Sequence, residues 1–178
     1  MGLVLVIAIT AALGALFLLE REASPQRLKD RSVLLIFLGM VIPLWAMITE
    51  HLLIAPPFGA LAAIGLMLFA LGAAVRVLAR RTLGRFFTYE ITIKKEHRLV
   101  THGIYRSIRH PLYTGILLLW FGAALALQSL IGFLLALALL VPALAVRMRK
   151  EEAFLGTQFG AEYRDYMRRT RRLVPFVF

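Results

Sequence analysis

Long uncharged runs separated by short charged clusters dominate the chain. Residues 3–19 carry no charged side chain and are about the minimum length for a membrane-spanning helix. A polar segment over 21–31 follows, with Ser24-Pro25 marking a turn. A second apolar run, 33–49, contains Pro43, a residue that neighbouring helices accommodate in lipid. Glu50 and His51 then mark an interface, and Pro56-Pro57 ends the helix before a third run that closes near Val75. This third run holds Gly59, Gly65 and Gly72, small residues that permit close helix contact.

From Pro111 to Val146 no charged residue occurs for 36 positions. As one helix this stretch would measure about 54 Å at roughly 1.5 Å per residue, whereas a bilayer core is about 30 Å thick. The run therefore folds back on itself, and its most polar point, Gln128-Ser129, lies near the middle. The pattern predicts a tight hairpin of helices over 111–127 and 130–156, the second bent near Pro142 and continuing out of the membrane. Beyond Gly156 and Gly160, Phe159, Tyr163, Tyr166 and Met167 recur at helical spacing opposite Arg164, Asp165 and Arg168. That is an amphipathic helix, lying on the membrane or folding over the core.

The expected fold is all-α: an integral membrane bundle of five transmembrane helices with a cytoplasmic loop, a hairpin of helices 4 and 5, and a C-terminal amphipathic helix. One membrane domain fills residues 1–178, with three spans in 1–80 and the remainder in 81–178. The 60% apolar content and mean hydropathy of +0.78 agree with this class. There is no cysteine, which removes disulfides, thiolate metal sites and a cysteine nucleophile. The first run lacks a basic leader, and acidic Glu20 and Glu22 stand where a small-residue cleavage site would be, so it is expected to be retained as a helix.

The formal charge of +11 would suggest nucleic acid in a soluble protein, but here the basic residues flank the apolar runs, so no nucleic-acid partner is expected. Four lie in 21–31, nine in 76–109 and eight from Arg147 onward, together all 21. Five spans bring the three groups to one side, which the positive-inside rule makes cytoplasmic, with Met1 outside. The expected location is a prokaryotic cytoplasmic membrane.

Residues 99–115 place two histidines, two arginines and two tyrosines at the mouth of a long apolar run, where polar groups are costly without partners. Pro111 suits the first turn of a helix, which puts His110 at or beside its N-cap. The free N–H groups of such a turn attract an anion, for instance a carboxylate. The alternative is that Arg106, Arg109 and Tyr113 are interface anchors and His110 only a cap. A second cluster, Arg147, Lys150, Glu151 and Glu152, ends the hairpin's other arm at the same mouth. Arg147 and Glu151, four apart, share a helix face and can pair. Paired acids beside an apolar span have no topological reason to be there, though a solvated helix face also accommodates them.

His97, His102 and His110 show no metal-ligand spacing, so no metal is expected. No Gly-x-Gly-x-x-Gly supports a Rossmann fold, no Gly-x-Ser-x-Gly a serine triad, and no intramembrane charge an ion pathway.

Leu99-Val100, Gly103-x-Tyr105 and Arg109-His110-Pro111-x-Tyr113 precede Glu151-Glu152-x-x-Leu155-x-x-x-Phe159-Gly160-x-x-Tyr163-x-x-Tyr166 and Leu173-x-Pro175. With this two-part spacing the chain resembles the isoprenylcysteine carboxyl methyltransferase family, whose wider group includes phospholipid N-methyltransferases. The resemblance covers residues 83–175. It implies an S-adenosylmethionine pocket without a Rossmann fold, S-adenosylhomocysteine as product, and methyl transfer to a lipophilic acceptor from the bilayer, most like carboxyl O-methylation of a prenylcysteine-type substrate. It further implies cofactor contacts from Leu99, Val100, His102, Gly103, Tyr105, Arg109, His110, Pro111, Tyr113, Glu151 and Glu152, with Arg147 and Glu151 beside the acceptor. The loop over 84–98 and the tail helix are the implied walls or lid. Lipid amine N-methylation, and a non-catalytic scaffold or lipid-binding protein on the same fold, are the alternatives.

Overall fold

The computed structural model describes residues 2–21, 31–54, 56–87 and 98–173. The described residues form a succession of apolar helical segments. They are α1 (Gly2–Arg21), α2 (Arg31–Ile54), α3 (Ala60–Leu83), α4 (Pro111–Ala126) and a last pass begun by α5 (Leu130–Leu135) and continued by α6 (Val141–Arg169). By length and composition three are able to cross a membrane, α2, α3 and the α5–α6 pass, while Gly2–Leu16 and Pro111–Ala126 are shorter apolar helices. Their outward faces are apolar, with Trp45, Leu53 and Met67 each more than 60% exposed. A helix apolar all round, exposed over this much surface, is solvated by lipid. The protein is an integral membrane protein.

α2 runs on through Glu50 and His51 to Ile54 and ends just before Pro56-Pro57, as expected, whereas the end of the third run moves. α3 passes Val75 and continues through Arg76, Arg80 and Arg81, since basic side chains at a helix C-terminus favour its dipole. Of the three glycines read as contact residues, Gly59 is only the exposed residue before α3 and has nothing within 4 Å of where a Cβ would stand. Gly65 and Gly72 do make the close approach, against Gly122 and Gly115 of antiparallel α4. A Cβ on Gly65 would lie 2.2 Å from the Ala126 nitrogen, and one on Gly122 2.5 Å from the Phe69 nitrogen.

α4 is the centre of the bundle. Its Leu119, Trp120 and Ala123 are buried against Val6 and Ile9 of α1, Met47 of α2 and Phe69 of α3. The Trp120 indole N–H, costly if left unpaired, donates to the Met40 carbonyl at 2.9 Å.

The hairpin turn falls at Gln128-Ser129, where the pattern put it. Gln128 takes a φ of +52° and its amide donates to the Pro57 carbonyl at 2.8 Å. Ser129 caps α5, accepting from the Gly132 N–H at 2.9 Å. Neighbouring α2 residues clamp both sides of the turn: His51 Nδ1 stands 2.8 Å from the Leu127 carbonyl, and Glu50 accepts from the Ser129 hydroxyl and from the Ile131 N–H at 3.0 Å. The bend expected near Pro142 is a π-helical turn over Ala136–Leu140, which absorbs the proline's missing N–H and steric demand.

α6 does not end near Gly156. It runs to Arg169 with a break at Gly160, whose φ of +53° and ψ of −119° turn the last two and a half turns back over the bundle. Tyr163 and Tyr166 are buried there and Arg164, Asp165 and Arg168 exposed, so the amphipathic segment folds over the core.

Candidate active site

The polar loop is shaped by its own turn and by the tail. Gly103, at φ +59°, starts a 3-10 turn over Gly103–Arg106, and a Cβ there would stand 3.0 Å from the Thr82 methyl of α3. The chain then pairs with the segment after α6. The Arg109 N–H donates to the Arg171 carbonyl at 2.7 Å, the Arg171 N–H to Ser107 at 3.1 Å, and the His110 N–H to Arg172 at 3.0 Å. The Thr114 hydroxyl closes the clip on the Leu173 carbonyl at 2.7 Å. Tyr166 reaches across from α6 and donates to the carbonyl of buried Tyr105 at 2.8 Å.

This clip delivers three side chains to one carboxylate. Glu152, on α6 and buried, accepts from Arg109 Nε at 3.0 Å and from Arg172 Nη2 at 2.8 Å, and lies 3.2 Å from His110 Nε2. The Glu152 hydrogen bond raises the Arg172 guanidinium further above its ordinary range. Arg109 also donates to the carbonyls of Met167, at 3.0 Å, and Thr170, so its planar fork ties loop, acid and helix end together. His110 is the residue before α4, yet its side chain makes no cap; it turns inward to Glu152 and stacks on Tyr113 with centroids 5.5 Å apart. Pro111 opens α4 as its geometry requires.

The adjacent acid is handled differently. The Glu151 side chain is 33% exposed, accepts from the Tyr113 hydroxyl at 2.7 Å and lies 4.0 Å from His110 Nδ1. Arg147, one turn earlier and 4% exposed, donates to Ser32 of α2 at 3.0 Å and lies close to the same Tyr113 hydroxyl. A partly exposed carboxylate, a buried guanidinium and a phenol thus stand side by side.

Seven of the residues singled out from sequence therefore meet: Arg109, His110, Pro111, Tyr113, Arg147, Glu151 and Glu152. Tyr105 is fastened beneath them, Leu99 and Val100 are half-buried in the approaching strand of coil, and His102 and Gly103 are exposed on its turn. The loop over 88–97, with His97, and Pro175 lie outside the described residues. Sequence reasoning missed Arg172 and Ser32. Arg172 was one of eight basic residues in the last third, and only its place in the tail clip distinguishes it; nothing near Ser32 signals a partner 115 positions away.

A profile of the family described as phospholipid methyltransferase matches residues 61–162, the stretch that holds this whole network except the tail and Ser32. The chain belongs to that family. Similar proteins include protein-S-isoprenylcysteine O-methyltransferase B of Arabidopsis thaliana, 37% identical over 115 residues, covering 64% of this chain and 58% of the relative. The protein-S-isoprenylcysteine O-methyltransferase of Saccharomyces cerevisiae is 33% identical over 116 residues, 64% of this chain and 48% of the relative. Among solved structures, that of the eukaryotic intramembrane Ras methyltransferase, isoprenylcysteine carboxyl methyltransferase, superposes with a TM-score of 0.56 at 28% identity. It covers 83% of this chain and 50% of the other. The chain thus spans less than two thirds of the length of these relatives.

Proposed function

We propose that this protein transfers a methyl group from S-adenosylmethionine to a lipophilic carboxylate, of the prenylcysteine type, at the cytoplasmic face of a membrane. The observation that carries the reading is the joining of Glu151 and Glu152 to Arg109, His110 and Tyr113 across the hairpin, in a chain of a methyltransferase family.

The residues fit such a cofactor by the chemistry of their donor set. Glu151 presents a partly open carboxylate suited to a cationic group, while the α4 N-terminus and Arg147 favour anionic ones. Glu151, Tyr113 and the exposed turn at His102 and Gly103 would hold it, on a scaffold kept in shape by Glu152, Arg109 and Arg172. When bound, S-adenosylmethionine supplies an electrophilic methyl carbon, and the reactivity is its own. The chain's residues contribute alignment and a dry, charged surrounding. Arg147, buried on α6, would orient the acceptor carboxylate in two-point fashion, and low local dielectric would strengthen that contact. A carboxylate acceptor has no proton to lose and needs no general base. An amine acceptor would, and Glu151 is the group placed to take it. The distribution of all 21 basic residues over 21–31, 76–109 and the last third supports a site open to the cytoplasm, with five crossings and the N-terminus outside.

The test is incubation of the detergent-solubilised chain with methyl-labelled S-adenosylmethionine and N-acetyl-S-farnesylcysteine. Transfer of label that is lost in mild base is expected, with at least about a hundredfold loss in Arg147→Ala, on the scale of a lost charge-assisted contact of about 3 kcal/mol. Label that resists base on a lipid amine would move the reading to N-methylation. Absence of both transfer and S-adenosylhomocysteine binding would leave a scaffold.

A further inference from the structure

Along α2 the buried positions Gly39, Pro43 and Met47 form an apolar inward stripe, and Ser32 heads it. Leu34 and Leu35, its near neighbours, are about half exposed, so the helix turns its serine and not its leucines toward the bundle. A serine at a helix start ordinarily keeps its hydroxyl in water or on the helix's own N–H groups. Ser32 is 1% exposed, and burying a hydroxyl is costly unless it is hydrogen-bonded. A partner stands on α6, where Arg147 Nη1 donates to Ser32 Oγ at 3.0 Å.

Arg147 is also close to the Tyr113 hydroxyl of α4, which donates to Glu151 at 2.7 Å. Three helices thus meet at one guanidinium. A long side chain of this kind samples many rotamers, and freezing them costs free energy. The guanidinium sets its five N–H donors in one plane, so a hydroxyl fixed on a neighbouring helix selects both the rotamer and the plane. That hydroxyl is neutral, so it holds Arg147 without cancelling its charge, which a carboxylate in the same place would do.

We propose that Ser32 is a positioning residue for the methyl acceptor: by holding Arg147 it presets the guanidinium to take the acceptor carboxylate in two-point fashion. The inference rests on the reading of Arg147 as the group that orients a lipophilic carboxylate. Ser32 acts through Arg147 and not on the reacting atoms. It also brings into the site a helix that lies outside residues 61–162, the stretch matched by the family profile.

The test compares two ligands on the detergent-solubilised full chain loaded with S-adenosylhomocysteine, with dissociation constants read by microscale thermophoresis. They are N-acetyl-S-farnesylcysteine and its carboxamide, which keeps the farnesyl chain and the shape but carries no charge. The native chain is expected to prefer the carboxylate. Ser32→Ala is expected to reduce that preference about tenfold, equivalent to about 1.4 kcal/mol, while affinity for the carboxamide barely changes. Ser32→Cys keeps the size and offers only a weak sulfur acceptor, so it is expected to lose most of the same preference even where the alanine variant folds poorly. Equal weakening of both ligands in the two variants, or an unchanged preference, overturns the proposal; methyl transfer by the native chain then still upholds the carboxylate reading. A native chain that binds both ligands alike overturns that reading and the proposal with it.

Discussion

Glu152 receives N–H groups from two guanidiniums and stands against an imidazole, so truncating it leaves Arg109, His110 and Arg172 without their shared acceptor in a largely buried cluster. Removing one member of a buried charged cluster costs more than the intact cluster contributes, because the survivors stay desolvated. Glu152→Ala is expected to destabilise the protein by about 3 kcal/mol, read as a fall in the thermal midpoint in detergent. An unchanged midpoint would mean that the cluster is solvated and adds nothing. At this scale the motif residues were legible because acids and histidines beside an apolar run need a reason to be there. Arg172 and Ser32 were not, because a basic tail residue and a serine at a helix start each have an ordinary explanation, and only proximity removes it.

Among the elements, the length of the uncharged run was enough to place the hairpin, since no single helix of 36 residues fits a bilayer. What holds the turn was hidden: Glu50 and His51 look like an interface, but as part of α2 they meet the two open helix ends, one accepting from the Ser129 hydroxyl and one α5 N–H and the other bonding the carbonyl of Leu127 that caps α4. The tail segment shows the same limit. Its two-sided pattern predicted an amphipathic helix, whereas its direction depends on the left-handed backbone of Gly160. Gly160→Ala forces a side chain into that conformation at about 1 kcal/mol. Limited proteolysis should cut after Arg164 or Arg168 sooner in this variant while the thermal midpoint moves little. Equal cutting rates would show that the turn does not depend on glycine.

For the whole molecule, the α3–α4 contact sets how closely the bundle closes. A methyl at Gly65 would sit 2.2 Å from backbone, which no rotamer relieves, so Gly65→Ala is expected to cost about 3 kcal/mol. Gly59→Ala, with open space around it, is expected to be near neutral, and the two thermal midpoints form the comparison. Orientation is testable because the chain has no cysteine. In intact cells a membrane-impermeant maleimide should label Gly59→Cys directly and Glu162→Cys only after permeabilisation; the reverse would invert the topology. By itself the sequence determined what each segment demands of its surroundings: apolar runs of bilayer length, a forced reversal at Gln128-Ser129, and polar clusters at the run ends. Those demands follow from burial and hydrogen bonding along one stretch of chain. Only the tertiary structure decided which stretches satisfy one another: Glu152 with Arg172, Arg147 with Ser32, Gly65 with the α4 backbone, and His51 with Leu127. Such pairings depend on distances between residues far apart in the chain, and many partners would have met the same local demand.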